Sequence, residues 1–172
     1  MGEDKAFLEV HGQTMLARAV GALADAAGIT VIGGDGERMA DLPVRHQPDR
    51  VPGAGPVPAI ADALEASTAQ HVVILPCDLP FITSGAVARL VGSIGDAQCA
   101  VPLVDGRIAW LPSVWSRTSS SAVLQAEADG VRSIGRLVRG LRVVHFVDSD
   151  PAVWRDADRP DDLPESTASA ID

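Results

Sequence analysis

The chain has 172 residues, 47% of them hydrophobic and 22% charged, and carries a formal net charge of −9. That length suits one domain of about 100–200 residues with a full apolar core. The acidic balance excludes a basic nucleic-acid-binding surface and a polybasic membrane anchor, but not a small anionic ligand held by a few local groups.

The predicted elements alternate along the chain. Thr14 is placed to cap a helix in which Met15, Leu16, Ala19, Val20 and Leu23 recur at helical spacing. Ile29-Thr30-Val31-Ile32 is a strand ended by Gly33-Gly34, and Val44-Arg45-His46 is a short second one. The segment from Pro48 to Pro58 is too interrupted by proline and glycine for an element and reads as a loop beside the sheet. A helix with Ile60, Ala63, Leu64 and Ser67 follows. His71 to Leu75 is the clearest strand, apolar without alternation, as a strand covered on both faces is.

Ser84 is expected to cap a helix bearing Val87, Leu90 and Val91. Gln98 to Leu103 is the next strand, and Asp105-Gly106 a tight hairpin turn. Ser119-Ser120-Ser121 is a loop or a helix start. Ile134, Leu137 and Val138 form a helix closed by Gly140, and Arg142 to Val147 is the last strand. This order predicts an α/β three-layer sandwich with a mainly parallel sheet and one antiparallel intrusion near Asp105. Residues 1–164 are expected to form one domain and 165–172 a frayed polar tail.

No run of about 18 apolar residues and no signal-peptide pattern occurs, so the cytoplasm is the expected location. Cys77 and Cys99 both sit in apolar runs and are expected to be inert core thiols. No repeat of fixed period appears.

Candidate chemistry concentrates in a few places. Leu75-Pro76-Cys77-Asp78-Leu79-Pro80 runs from an apolar strand into a carboxylate flanked by prolines. At a strand's carboxyl end Asp78 would face the crevice, and Pro80 keeps Leu79 out of helix. A hard oxygen there suits Mg²⁺, while the plainer role is a bond to turn amides. Lys5 is either a solvated surface charge or a phosphate contact. Asp49 lies in a rigid loop of small residues, where Gly53 and Gly55 let backbone approach a flat ligand; an ordinary surface turn has the same composition. Asp156 and Asp158 are candidate metal ligands, whereas Asp161 and Asp162 suit a first helical turn after Pro160. His11, His46, His71 and His145 lack ligand-like spacing.

Taken in order, these segments resemble the molybdenum cofactor guanylyltransferases, the MobA-like NTP transferase family. Met1 to Leu8 followed by Val10 to Leu16 is similar to the segment after that family's phosphate loop. Gln47-Pro48-Asp49 through Gly55-Pro56 is similar to its base-recognition loop, and Pro76-Cys77-Asp78-Leu79-Pro80 to its metal motif. Asp105-Gly106-Arg107 with Leu111-Pro112 resembles its acceptor-facing insertion. Gly130 to Ile134 and Asp156 to Leu163 resemble its late motifs.

The resemblance implies a Rossmann-like nucleotide-diphospho-sugar transferase fold and transfer of GMP from GTP to molybdopterin. It implies that Lys5 contacts the triphosphate, Asp49 the guanine edge, with Gly55 and Pro56 beside it, and that Asp78 holds Mg²⁺, for which Asp158 is the candidate second ligand. No nucleic acid or membrane is expected as a partner, and the chain is expected to be a monomer or a weak homo-oligomer. The family's first strand and its glycine-rich turn have no counterpart before Met1, so a vacant sheet position and an open anion cradle are expected. Asp156-Ala157-Asp158-Arg159-Pro160 also resembles cytidylyltransferases. A cytidylyl or sugar-phosphate transferase and a non-catalytic nucleotide-binding or protein-interaction module remain the alternatives.

Overall fold

A computed structural model describes residues 5–156; Asp158 and the tail 165–172 lie outside the described residues. The described chain opens with a 3-10 turn, Lys5–Phe7, and a short antiparallel pair, β1 (Glu9–Val10) and β2 (Gln13–Thr14). Helix α1 (Met15–Ala22) starts where Thr14 Oγ1 accepts from the Ala17 amide at 3.1 Å, the capping expected from sequence. Strands β3 (Thr30–Ile32) and β4 (Arg45–Gln47) pair in parallel. Helix α2 (Pro56–Ala66) begins at a proline, whose missing N–H costs nothing in a first turn.

Strand β5 (His71–Ile74) leads through the Asp78 segment to α3 (Ser84–Ser93). Then come β6 (Cys99–Val104), β7 (Arg107–Ile108) and β8 (Ser113–Ser116). Helices α4 (Ser120–Ala128) and α5 (Ile134–Leu137) follow, and the last strand is β9 (Val143–Phe146). At the β6–β7 hairpin Asp105 and Gly106 have φ of 50° and 76°, the paired positive values that a tight primed turn requires.

The larger sheet runs β5-β8-β6, with β9 beside β6 and β7 on the end of β6. β6 and β9 are parallel, and β8 is antiparallel to both of its neighbours. β5, β6 and β9 therefore point the same way, with β8 reversed between β5 and β6. The sheet is mixed, and the antiparallel intrusion extends beyond the hairpin. β3 and β4 stand as a separate pair, which no strand among the described residues joins to the larger sheet.

Period-2 alternation splits the core into two layers. Ala100 and Val114 face α3, packing with Ala86, Leu90, Ile94 and Trp154. Cys99, Val101 and Trp115 face the other way, against Val57, Ile60 and Leu64 of α2, Val123 of α4 and Leu137 of α5. This is the three-layer α/β/α arrangement. β5 sends Val73 to one layer and Val72 and Ile74 to the other, as its unbroken apolar run predicts. Its residues are nonetheless only half-buried, because β5 is an edge strand of this sheet.

Three elements depart from the sequence reading. The segment Pro48 to Pro58, read as a loop, ends in helix: α2 already includes Pro56, Val57 and Pro58, because prolines fit a first helical turn. Ser113-Val114-Trp115-Ser116 is a fully buried strand that had no strand signature, since serines close both ends of a four-residue run. Trp115 Nε1 donates to Ser113 Oγ at 2.9 Å, which satisfies both polar groups inside the core. The cap of α3 is Thr83 and not Ser84: the Thr83 hydroxyl accepts from the Ala86 amide at 3.2 Å. Thr83→Ala should lower unfolding stability by about 1 kcal/mol in urea titrations, and Ser84→Ala by no more than about 0.5 kcal/mol.

Candidate functional site

Because β5, β6 and β9 share a direction, the segments leaving their carboxyl ends converge on one edge of the sheet. A cleft of about 690 Å³ opens there. Its first wall is Pro76, Asp78 and Leu79, after β5. Its second runs from Val104 and Asp105 through Arg107 to Leu111, and its third is Trp154, Arg155 and Asp156, after β9. The β6–β7 hairpin keeps the chain at this edge before β8 leaves it, beginning at Ser113 beside Ile74, so that residues 109–111 line the same cleft as Asp78. Ligands of open α/β sheets bind at this position.

The third wall hangs on Asp148. Its side chain has 0% exposure and receives Arg89 as a fork, Nε to Oδ1 at 3.1 Å and Nη2 to Oδ2 at 3.0 Å. The Asp150 amide donates to Oδ1 at 3.1 Å, the Ser149 hydroxyl at 3.3 Å, and Trp154 Nε1 to Oδ2 at 3.0 Å. Trp154 also meets Phe146 edge-to-face, with centroids 6.4 Å apart. Burial pushes the Asp148 carboxyl up, but Arg89, the Asp150 amide and the Trp154 indole outweigh it, so the pKa lies below the ordinary carboxylate value.

The second wall carries Trp110. A side chain at Gly135 would place its Cβ 3.2 Å from Trp110 Cζ2, so the glycine lets α5 close against the indole. Among the described residues no group of three or more His, Cys, Asp or Glu side chains gathers into a metal cluster. The cleft does hold Asp78 and Asp156, hard carboxylates suited to a cation that takes its other ligands from phosphate and water.

The other residues singled out from sequence lie elsewhere. Lys5 begins the first 3-10 turn and is exposed. Asp49 is exposed in the loop after β4, its Oδ1 accepting from the Val51 amide at 2.9 Å. That loop crosses the carboxyl end of β3, where a Cβ on Gly33 would be 3.6 Å from Asp49 Cβ. Gly55, with φ of 82°, and Pro56 open α2; a Cβ on Gly55 would lie 2.8 Å from the Arg132 carbonyl oxygen, so glycine is required. Arg50 ties the loop to α2 and α4, with Nη2 2.9 Å from Asp62 Oδ1 and 3.1 Å from Glu127 Oε1. Those carboxylates raise its pKa further above the ordinary value. The structure thus places Asp78 and Asp156 along one cleft and leaves Asp49, Gly55 and Pro56 in the loop after β4 and the start of α2. Asp158 falls outside the described residues.

Cys77 and Cys99 form no disulfide, and burial pushes the Cys99 thiol up to about 12. Sequence reasoning assigned no role to Trp110, Trp154, Arg155 or the Arg89–Asp148 pair. Arg89 and Asp148 stand far apart in sequence, on a helix and in a loop, with no spacing that links them.

This is the fold of the nucleotidyltransferases, with a carboxyl-edge cleft of carboxylates, guanidinium groups and indoles. The structure superposes on molybdopterin-guanine dinucleotide biosynthesis protein A from Archaeoglobus fulgidus with a TM-score of 0.72 and 19% identity, covering 94% of this chain and 88% of that one. It also superposes on 2-C-methyl-D-erythritol 4-phosphate cytidylyltransferase from Thermus thermophilus with a TM-score of 0.74 and 25% identity, covering 92% and 90%. Residues 1–145 match the model of the MobA-like NTP transferase domain, and the chain belongs to that family. It is 32% identical over 120 residues to a probable molybdenum cofactor guanylyltransferase of Haloferax mediterranei, covering 66% of this chain and 57% of the relative. With one of Pelotomaculum thermopropionicum it shares 30% over 124 residues, covering 72% and 60%. The match thus spans somewhat under two thirds of those curated relatives.

The lowered pKa of Asp148 has a signed consequence. A carboxyl whose folded pKa is depressed stabilises the fold above its unfolded value, about 4, and loses that contribution as pH falls through the folded pKa. Asp148→Asn should be less stable than wild type at neutral pH, and the gap should narrow as the pH falls below about 4 in urea denaturation.

Proposed function

We propose that the chain is an Mg²⁺-dependent nucleotidyltransferase that moves GMP from GTP to molybdopterin. The observation that carries this reading is Asp78 at the carboxyl end of β5, lining the same cleft as Asp156. Curated relatives named as probable molybdenum cofactor guanylyltransferases support the choice of substrates.

In this reading an oxygen of the acceptor's phosphate attacks the α-phosphorus of GTP. The bond from the α-phosphorus to the oxygen bridging it to the β-phosphate breaks, and pyrophosphate leaves with that electron pair. Lys5 contacts the triphosphate, where a fixed ammonium offsets negative charge. Asp49 accepts hydrogen bonds from the guanine edge, and Gly55 and Pro56 let the backbone approach the base. Asp78 and Asp156 fit Mg²⁺, and Asp158, two residues further on, is a further candidate ligand. When bound there, the ion neutralises charge on phosphate oxygens. The chain's own groups hold the reacting oxygens in line and perform little proton transfer.

One observation favours a second reading with CTP as donor: the similarity of this chain to the Thermus cytidylyltransferase. Calorimetry on the whole chain with Mg²⁺ separates the two. Micromolar GTP binding, CTP binding at least about tenfold weaker, and loss of GTP binding in Asp78→Ala are the expected results. Asp78 is half-buried at a strand end, so this variant should melt within a few degrees of wild type. A preference for CTP would replace the guanine assignment, and no binding of either nucleotide would remove the transferase reading.

A further inference from the structure

Two guanidinium groups line the cleft, and they are held differently. Arg155 Nη2 donates to Asp105 Oδ2 at 3.2 Å, with 59% of one side chain and 65% of the other exposed. Arg107 forms no ion pair among the described residues. The Arg155–Asp105 pair links the second wall of the cleft to the third, from the hairpin turn to the segment after Trp154. Exposed pairs of this kind are weak, so a competing anion can displace them. The contrast with Arg89 is plain: that guanidinium forks onto a fully buried carboxylate and is committed to structure.

Asp105 is also not demanded by its turn. Its backbone has φ of 50°, which asparagine adopts as readily as aspartate. A carboxylate at this position places negative charge in a cleft proposed to receive phosphates. An anion seat would exclude that charge unless it restrains the cation.

We propose that Arg155 and Arg107 form the seat for the acceptor's phosphate monoester, and that Asp105 holds Arg155 until the phosphate displaces it. The seat rests on the transferase reading for its biological ligand, but its chemistry does not depend on the base or on a pterin. Guanidinium groups suit it because they meet phosphate oxygens bidentately. The Asp105 carboxylate acts as an internal competitor, so anions too weak to displace it are excluded from the cleft.

The test uses the whole chain and glycerol 3-phosphate, a phosphate monoester without base or ring, titrated by tryptophan fluorescence because Trp110 and Trp154 line the cleft. Asp105→Asn, which keeps the turn, should tighten binding about two- to fivefold, the range expected for removing an exposed pair. Arg155→Gln should weaken it by about fivefold or more. Asp105→Asn should have no effect in the Arg155→Gln background, which separates competition for Arg155 from a general loss of negative charge. Equal tightening in both backgrounds, unchanged binding in Arg155→Gln, or no binding to wild type would each overturn the seat. GTP binding is measured separately on wild type; its absence there would remove the transferase reading and leave the result at the seat standing.

Discussion

A buried charge holds one side of the cleft in place. Asp148 sits shortly after β9, fully enclosed, and its oxygens gather Arg89 from α3 together with the chain that follows. Taking a carboxylate out of water is costly, and a buried ion pair is a poor source of net stability against an apolar replacement. What this one supplies is geometry. With Arg89 forked onto both oxygens and Trp154 Nε1 on the second, the indole has one orientation, and Arg155 and Asp156 follow it into the cleft. The pair commits α3, β9 and the third wall to a single relative placement.

The other two walls follow from sheet direction. Three strands of like direction deliver their loops to the same edge, and the reversed β8 starts from that edge, directly after residues 109–111 have lined it. The cost of the reversal is a strand enclosed on both faces, whose serine hydroxyls must be satisfied internally; the Trp115–Ser113 bond and the bonds of Ser116 Oγ with the Thr118 amide and hydroxyl do this. Helices on both faces complete the burial. The cleft is thus a product of topology before it is a product of side chains, which is why many chemistries share this layout.

Two regions are proposed to share the work, and they are built differently. The cleft is walled by elements of the larger sheet. The loop from Gln47 to Gly55 instead spans the end of the β3–β4 pair and is tied to α2 and α4 through Arg50, Asp62 and Glu127. Gly55 closes that loop against the Arg132 carbonyl at a distance no side chain tolerates. The segment containing Arg132 therefore limits where the loop sits.

Much of this was legible in the sequence because it is local. The unbroken apolar run at His71–Leu75, the positive-φ pair at Asp105-Gly106 and the Thr14 cap each depend on neighbours a few residues away. The ordered motifs identified the family and placed Asp78 at a strand end. β8 escaped because a four-residue strand between serines carries no periodicity, and its burial comes from β5 and β6. The shared cleft of Asp78 and Asp156, the Arg89–Asp148 fork and the weak Arg155–Asp105 pair involve residues far apart in the chain. Local residue order determined most of the elements and offered Asp78 and Asp156 as candidate carboxylates. Only the folded sheet decided which charges meet, because contacts across it depend on strand direction and order, and neither is encoded in any short stretch of residues.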